Sequence, residues 1–302
     1  MVKAVDGVSF RLDKGEVLGI VGESGSGKSV SCLALMGLLP VPPARIESGS
    51  AMFGGRDLLK LDGGALRGIR GEKIAMIFQE PMTSLNPYMT IGSQLVEVLT
   101  AHGLAAEEEA RARAITMLDR VGIPEPAVRF GLRPHEFSGG MRQRVMIAMA
   151  LIANPELLIA DEPTTALDVT IQAQILELIR DLKREFGMSV ILVSHAMGVV
   201  AEMSDHLAVM YAGRIVEHGR PAEIFKNPAH PYTKALLESM PASGQQCLAV
   251  IPGSPPDLAR LPAGCAFAPR CAYVQPVCRD VCPEERARAS DPGHRFRCHV
   301  DI

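Results

Sequence analysis

The chain has 302 residues, a net charge of −3, no Trp and only 4% aromatic residues. That length allows one large domain plus a small one with an ample core, and the charge balance offers no strongly basic surface of the kind that argues for nucleic acid. No apolar run approaches the ~18 residues that span a bilayer. The start, Met1-Val2-Lys3-Ala4-Val5-Asp6, has no apolar signal region. A soluble, cytosolic chain is expected, with any membrane role coming from docking onto a membrane partner.

Plentiful Ala, Leu, Ile, Val and Met suit a helix-rich α/β protein better than a β-sandwich. Val17-Leu18-Gly19-Ile20-Val21 is a short apolar run ahead of a Gly-rich loop and reads as a buried strand. A helix is predicted over residues 28–38, ended by Pro40, Pro42 and Pro43. Ile74-Ala75-Met76-Ile77-Phe78 is a second buried strand, and residues 91–149 are mostly helical, with Leu95, Val96 and Leu99 on one face and Ile115, Leu118 and Val121 on another. Leu157-Leu158-Ile159-Ala160 is a third strand, after an Asn154-Pro155 turn. A long helix spans 171–186, and Val190-Ile191-Leu192-Val193 is a fourth strand. Leu207-Ala208-Val209-Met210 and Arg214-Ile215-Val216-Glu217 flank Ala212-Gly213 as a hairpin. The alternation implies a parallel-sheet core with a helical insertion over about residues 80–150. Near Asn227-Pro228 the composition changes, so residues 1–228 read as the main domain and 229–302 as a separate, irregular, Cys-rich extension.

Three groups of residues carry chemistry. Gly22-Glu23-Ser24-Gly25-Ser26-Gly27-Lys28-Ser29 has phosphate-loop spacing and sits between a strand and a helix. Its backbone N–H groups would wrap phosphates, Lys28 would meet the β- and γ-phosphates, and the Ser29 hydroxyl would ligate Mg²⁺. Asp161 and Glu162 end the third strand, at the sheet edge where ligands bind. Asp161 would hold Mg²⁺ and Glu162 would polarise the attacking water as general base. Gln79 after the second strand could reach both metal and water, and His195 after the fourth could touch the γ-phosphate. The third group is Phe137-Ser138-Gly139-Gly140-Met141-Arg142-Gln143-Arg144. Ser138, Gly139 and Gly140 sit where a helix begins, which makes a second anion site. A second site is explained if it binds the phosphate of a nucleotide held by another subunit. Asp168 lies too far along for the same metal and reads as a subunit contact.

Of seven cysteines, Cys32 and Cys247 stand alone, while Cys265, Cys271, Cys278, Cys282 and Cys298 crowd into the C-terminal region. In a cytosolic chain such a cluster reads as metal-binding rather than disulfide-bonded. Cys265, Cys271, Cys278 and Cys298 offer four thiolates, which suit an iron–sulfur cluster or Zn²⁺, without the paired C-x2-C knuckles common in zinc sites.

In order and spacing these elements resemble the ATP-binding subunit of ABC transporters. The resemblance implies that residues 22–29 are the Walker A loop, Gln79 the Q-loop glutamine and Ser138 to Gln143 the signature motif. Asp161 and Glu162 become Walker B and its catalytic glutamate, Asp168 part of the D-loop, and His195 the switch histidine. It also implies an α/β P-loop fold with antiparallel N-terminal β elements and a head-to-tail dimer, in which Ser138, Gly139, Gly140 and Gln143 meet the partner's ATP. Phe78-Gln79-Glu80-Pro81-Met82-Thr83-Ser84-Leu85-Asn86-Pro87, Met141, His230-Pro231-Tyr232-Thr233, Ile251-Pro252-Gly253 and the segment from Gly264 to Cys271 look like the oligopeptide/dipeptide importer branch, which also includes nickel importers. That branch's extension is associated with a [4Fe–4S] cluster on the four cysteines; Cys282 is extra to its pattern and could replace Cys278 or Cys298. The pattern normally opens with a further strand and an adenine-stacking aromatic, and this chain joins after that point, with Phe10 on the next strand. Ala196 stands where the family usually has Asp.

The expected function is ATP hydrolysis driving import of di- or oligopeptides, with a nickel importer or a weakly active regulatory ATPase as alternatives. A single ATPase module without a coiled-coil insertion argues against ribosome- and DNA-acting relatives. The expected partners are a second, paralogous ATPase, two transmembrane permeases and, indirectly, an extracytoplasmic peptide-binding protein. The expected location is the cytoplasmic face of the membrane.

Overall fold

The computed structural model describes residues 2–79, 84–164, 168–240 and 251–302. Glu80, Pro81, Met82 and Thr83 of the importer-like loop, Ala166 and Leu167 before Asp168, and Cys247 lie outside the described residues. The chain divides into two compact units. One comprises Met1–Leu12, Glu16–Gly49 and Leu192–Ile302; the other comprises Asp13–Gly15 and Ser50–Ile191.

In the first unit, the strand Val17–Val21 is buried along its whole length and runs parallel to His206–Tyr211, with Leu18 opposite His206 and Val21 opposite Val209. An unbroken apolar strand of this kind is covered on both faces. On one of them the helix Met197–Met203 comes so close that a Cβ on Gly19 would stand 2.2 Å from the Val200 side chain. His206–Tyr211 turns back through Ala212 and Gly213, both at positive φ, into the antiparallel strand Arg214–Gly219, as the Ala-Gly turn predicts. The first helix, Lys28–Leu35, stops short of residue 38 because Gly37 takes a left-handed conformation. Residues 2–16 form no strand, so Phe10 lies outside one.

The extension is not irregular throughout, which corrects that part of the sequence reading. Asp291–Phe296 pairs antiparallel with Arg214–Gly219, and Arg286–Arg288 pairs with Asp291–Phe296 in turn. The attachment is built on Glu217, whose side chain is fully buried. Its carboxylate accepts the backbone N–H groups of Ala229 at 2.7 Å and His230 at 2.9 Å, and lies 2.7 Å from Nε2 of His294. A buried carboxylate is tolerable only with such partners. Sequence reading misses this because Glu217 looks like an ordinary outward-facing residue of a hairpin strand. Above it, the rings of Tyr211, Tyr232 and Phe267 pack at centroid distances of 4.5–5.4 Å, joining hairpin to extension.

In the second unit, Ile74–Ile77 and Leu157–Asp161 are parallel neighbours, with Ile77 opposite Ala160. The strand Ser189–Ser194, which crosses the boundary between the units along the chain, is buried throughout. Met52–Phe53 and Arg56–Asp57 form a small antiparallel hairpin, the described counterpart of the expected N-terminal β elements. The helical insertion is present as Ile91–Ala101, Glu107–Arg120, Pro126–Arg129 and Gly139–Leu151. Leu95, Leu99, Leu118 and Val121 are fully buried there, whereas Val96 and Ile115 are half-buried at the edge of their stripes. The long helix Val169–Phe186 ends at Gly187, again left-handed.

Burial holds His230 neutral, pushing its pKa down to about 4 from 6.5, and lowers His218 by the same cause. A histidine whose folded pKa is depressed contributes its full stability above about pH 6.5 and loses it as pH falls towards 4. For His230 the loss amounts to roughly 3 kcal/mol, at 1.36 kcal/mol per unit. The urea midpoint should therefore fall steeply between pH 6.5 and 4, and less steeply in His230→Gln. A flat profile over that range would contradict the buried, neutral histidine.

Candidate functional site

The loop over residues 22–29 is shaped by its glycines. Gly22, Gly25 and Gly27 have φ of 156°, 77° and 100°, a region other residues rarely enter. At two of them space is also lacking: a Cβ on Gly22 would lie 2.2 Å from the Met210 carbonyl oxygen, and one on Gly27 2.4 Å from that of Ala4. Ser24 and Gly25 are exposed at the crest of the loop. Lys28 is buried, and its ammonium donates to the carbonyls of Gly22 at 2.8 Å and Glu23 at 3.0 Å. No side chain caps the start of the Lys28–Leu35 helix, so its amide end is open to an anionic ligand. Ser26 Oγ is buried without a hydrogen-bond partner, an orphan that a phosphate oxygen would satisfy. The residues present therefore fit a nucleotide triphosphate.

Glu23 is gripped from the extension. Arg270 donates to both of its carboxylate oxygens, at 2.7 and 3.0 Å, and the Tyr232 hydroxyl accepts its backbone N–H at 2.8 Å. Sequence reading quotes Tyr232 and Arg270 within motifs of the extension but gives them no role at the site. The only signal is their place in those motifs.

In the second unit, strand register brings Gln79 and Glu162 together. Ile77 pairs with Ala160, so the residues two positions further along each strand leave the sheet side by side. Gln79 Nε2 donates to Glu162 Oε2 at 2.9 Å. Glu162 holds φ at +50°, a strained setting for a non-glycine residue that aims its side chain away from the strand's own line. Asp161, one residue earlier, is buried at the strand end. The side-chain oxygens of Gln79 and Asp161 are hard donors of the kind that suits Mg²⁺, as is the hydroxyl of Ser29.

Ser138 caps the Gly139–Leu151 helix, its hydroxyl accepting the Met141 N–H at 3.4 Å. Ser138 and Gly139 are exposed, and a Cβ on Gly139 would meet nothing within 4 Å, so this helix start has open space before it. The helix is fixed by Arg142, which donates to the Pro134 carbonyl at 2.8 Å, and Arg144, which donates to that of Val121 at 2.6 Å. Gln143 is expected, with Ser138, Gly139 and Gly140, to meet the partner's ATP. Its side chain is buried and donates to the Pro163 carbonyl, tying the helix to the segment after Glu162. Asp168 caps the Val169–Phe186 helix, accepting the Ile171 N–H at 3.0 Å. His195 is exposed just beyond the Ser189–Ser194 strand. Next to it Ala196, in place of an acid, donates its N–H to Ser194 Oγ.

Cys265, Cys271, Cys278 and Cys298 line one small cavity with His230 and His299. Cys282 lies elsewhere, its sulfur accepting from Arg214 at 2.6 Å. All six described cysteines are free thiols. Burial pushes the Cys265 thiol up to about 11 and raises Cys271 and Cys298, with the neighbouring sulfurs adding to each shift. Among the described residues, no three His, Cys, Asp or Glu side chains are arranged as ready metal ligands. No helix among them is long and apolar enough to cross a membrane.

Residues 5–165 match the ABC transporter family model, and residues 216–278 match the oligopeptide/dipeptide transporter C-terminal region. The chain is 57% identical to the oligopeptide transport ATP-binding protein OppD of Bacillus subtilis, over 91% of this chain and 78% of that protein. It is 53% identical to OppD of Salmonella typhimurium, over 100% of this chain and 89% of that one. With the dipeptide transport ATP-binding protein DppD of Bacillus subtilis the identity is 52%, over 98% and 89%. Among solved structures, a dimeric ATP-binding cassette in a post-hydrolysis state bound to ADP and Pi superposes with a TM-score of 0.64 at 30% identity, covering 72% of this chain and 90% of that one.

The cramped backbone at Gly27 yields a direct test. Gly27→Ala should weaken binding of Mg-nucleotide more than tenfold, measured by titration with a fluorescent ATP analogue. Undiminished affinity would mean that the loop does not need this conformation.

Proposed function

The chain belongs to the ABC transporter family of ATPases, and from that premise we propose that it hydrolyses ATP to drive import of di- and oligopeptides. The observation that carries this reading is the union, in one chain, of the cassette region with the C-terminal region of oligopeptide/dipeptide transporters. The names of its relatives as oligopeptide and dipeptide transport ATP-binding proteins support the same substrate class.

In this reading residues 22–29 wrap the triphosphate, and Lys28 exchanges its carbonyl partners for the β- and γ-phosphate oxygens. Glu162, oriented by Gln79, draws a proton from the attacking water, and His195 faces the γ-phosphate. Ser29, Asp161 and Gln79 would hold Mg²⁺, which would supply positive charge to neutralise the phosphates. The open helix start at Ser138, Gly139 and Gly140 receives the nucleotide of a second, paralogous ATPase in a head-to-tail pair, with Asp168 at the same contact. Residues 1–228 act as the ATPase domain and 229–302 as an accessory segment. The pair docks on two transmembrane permeases at the cytoplasmic face of the membrane, fed by an extracytoplasmic peptide-binding protein.

Glu162→Gln should lower ATP turnover at least 100-fold, the scale of losing a general base, while MgATP binding stays within a few-fold and the closed dimer accumulates. Turnover at the wild-type rate would overturn the mechanism. In cells lacking the chain, the wild type should restore uptake of a labelled tripeptide. Restored uptake of nickel alone would move the substrate to the alternative.

We further propose that Cys265, Cys271, Cys278 and Cys298 hold a [4Fe–4S] cluster with a structural role. Their shared cavity supports this, as does a recurring contact in which Cys265, Cys271 and Cys298 each accept the N–H of the residue two positions on. Protein purified without oxygen should be brown and contain about four iron atoms per chain on this cluster chemistry. A colourless, iron-free preparation would refute it.

A further inference from the structure

We infer that Arg270 and Tyr232 of the C-terminal extension are positioning residues for the nucleotide site, acting through Glu23 to set ATP affinity. The inference rests on the chain being an ATPase but not on what it transports.

Glu23 is an awkward residue for a phosphate loop, since an unpaired carboxylate there repels the triphosphate. The structure neutralises it and turns it aside. The Arg270 side chain is 5% exposed, and each of its three nitrogens donates: to both carboxylate oxygens of Glu23, to the Pro252 carbonyl at 2.9 Å and to the Tyr211 hydroxyl at 3.3 Å. Its guanidinium also lies 5.9 Å from the ring centres of Tyr211 and Phe267. The bond to Glu23 raises the Arg270 pKa, so the positive charge is permanent. A planar fork locked on all sides fixes the carboxylate's direction as well as its charge.

The backbone of Glu23 is fixed at the same time. Tyr232, fully buried, accepts the Glu23 N–H, which leaves that amide unavailable to phosphate. The Glu23 carbonyl in turn accepts from Lys28 at 3.0 Å. A continuous chain of contacts therefore runs from Arg270 and Tyr232 through Glu23 to the lysine that meets the phosphates. Arg270 is also the residue before Cys271, so whatever orders the cysteine segment orders this clamp.

The test uses the full-length chain and titration with a non-hydrolysable ATP analogue plus Mg²⁺, with steady-state ATPase measured in parallel. Arg270→Met should raise the Kd and the KM for ATP five- to twentyfold while kcat stays within twofold. Arg270→Lys, which keeps the charge but loses the fork, should fall between. Glu23→Gln placed in the Arg270→Met background should recover most of the affinity, because the exposed charge is removed. Tyr232→Phe should weaken binding with thermal stability nearly unchanged. A lower Tm in Arg270→Met with Kd within twofold of wild type would overturn the inference and leave Arg270 a purely structural residue, as would failure of Glu23→Gln to restore binding. A wild-type chain that binds no MgATP would overturn the ATPase reading as well.

Discussion

The phosphate loop is confined by backbone rather than by side chains. Gly22 fits under the Met210 carbonyl and Gly27 under that of Ala4, while the Gly213 N–H donates to the Ser26 carbonyl at 2.9 Å. The hairpin after His206–Tyr211 and the N-terminal segment therefore act as a mould. Close backbone approach leaves few ways to relax, so the loop is preorganised and little ordering remains to be done when an anion arrives. The burial of Lys28 and the uncapped helix start follow from that mould.

In the other unit, sheet register plays the corresponding part. Pairing Ile77 with Ala160 determines that Gln79 and Glu162 leave adjacent strands at one level, and the left-handed turn at Glu162 does the final aiming. The inward bond from Gln143 to Pro163 links the signature helix to the segment that carries Glu162. The exposed helix start at Ser138 and Gly139 is thus tied, through the same helix, to the segment that carries Glu162.

Much of this was legible in the sequence because it depends on local rules. An apolar run before a glycine loop, an acid pair ending a strand and Ser-Gly-Gly opening a helix are signals within a few residues, and these three elements formed at their expected places. The strands differ from expectation by a residue or so, as at Ile74–Ile77. What was illegible was long-range. Glu217 and His294 lie 77 positions apart, and Glu23 and Arg270 lie 247 apart. Nothing near either acid reveals that its partner is a basic group on a distant segment. The partner of Gln143 was illegible for a related reason: the Pro163 carbonyl stands 20 positions along the chain and only the tertiary fold brings it close.

The Glu217 contact bears on how far the chain is modular. Glu217 lies near the start of the stretch that matches the oligopeptide/dipeptide transporter C-terminal region, and all three of its partners, Ala229, His230 and His294, lie further along the chain. A chain ending before Ala229 would lose all three partners of this carboxylate together with the strand Asp291–Phe296 that pairs with its own. The tail is therefore built onto the hairpin at position 217 and not merely tethered to it.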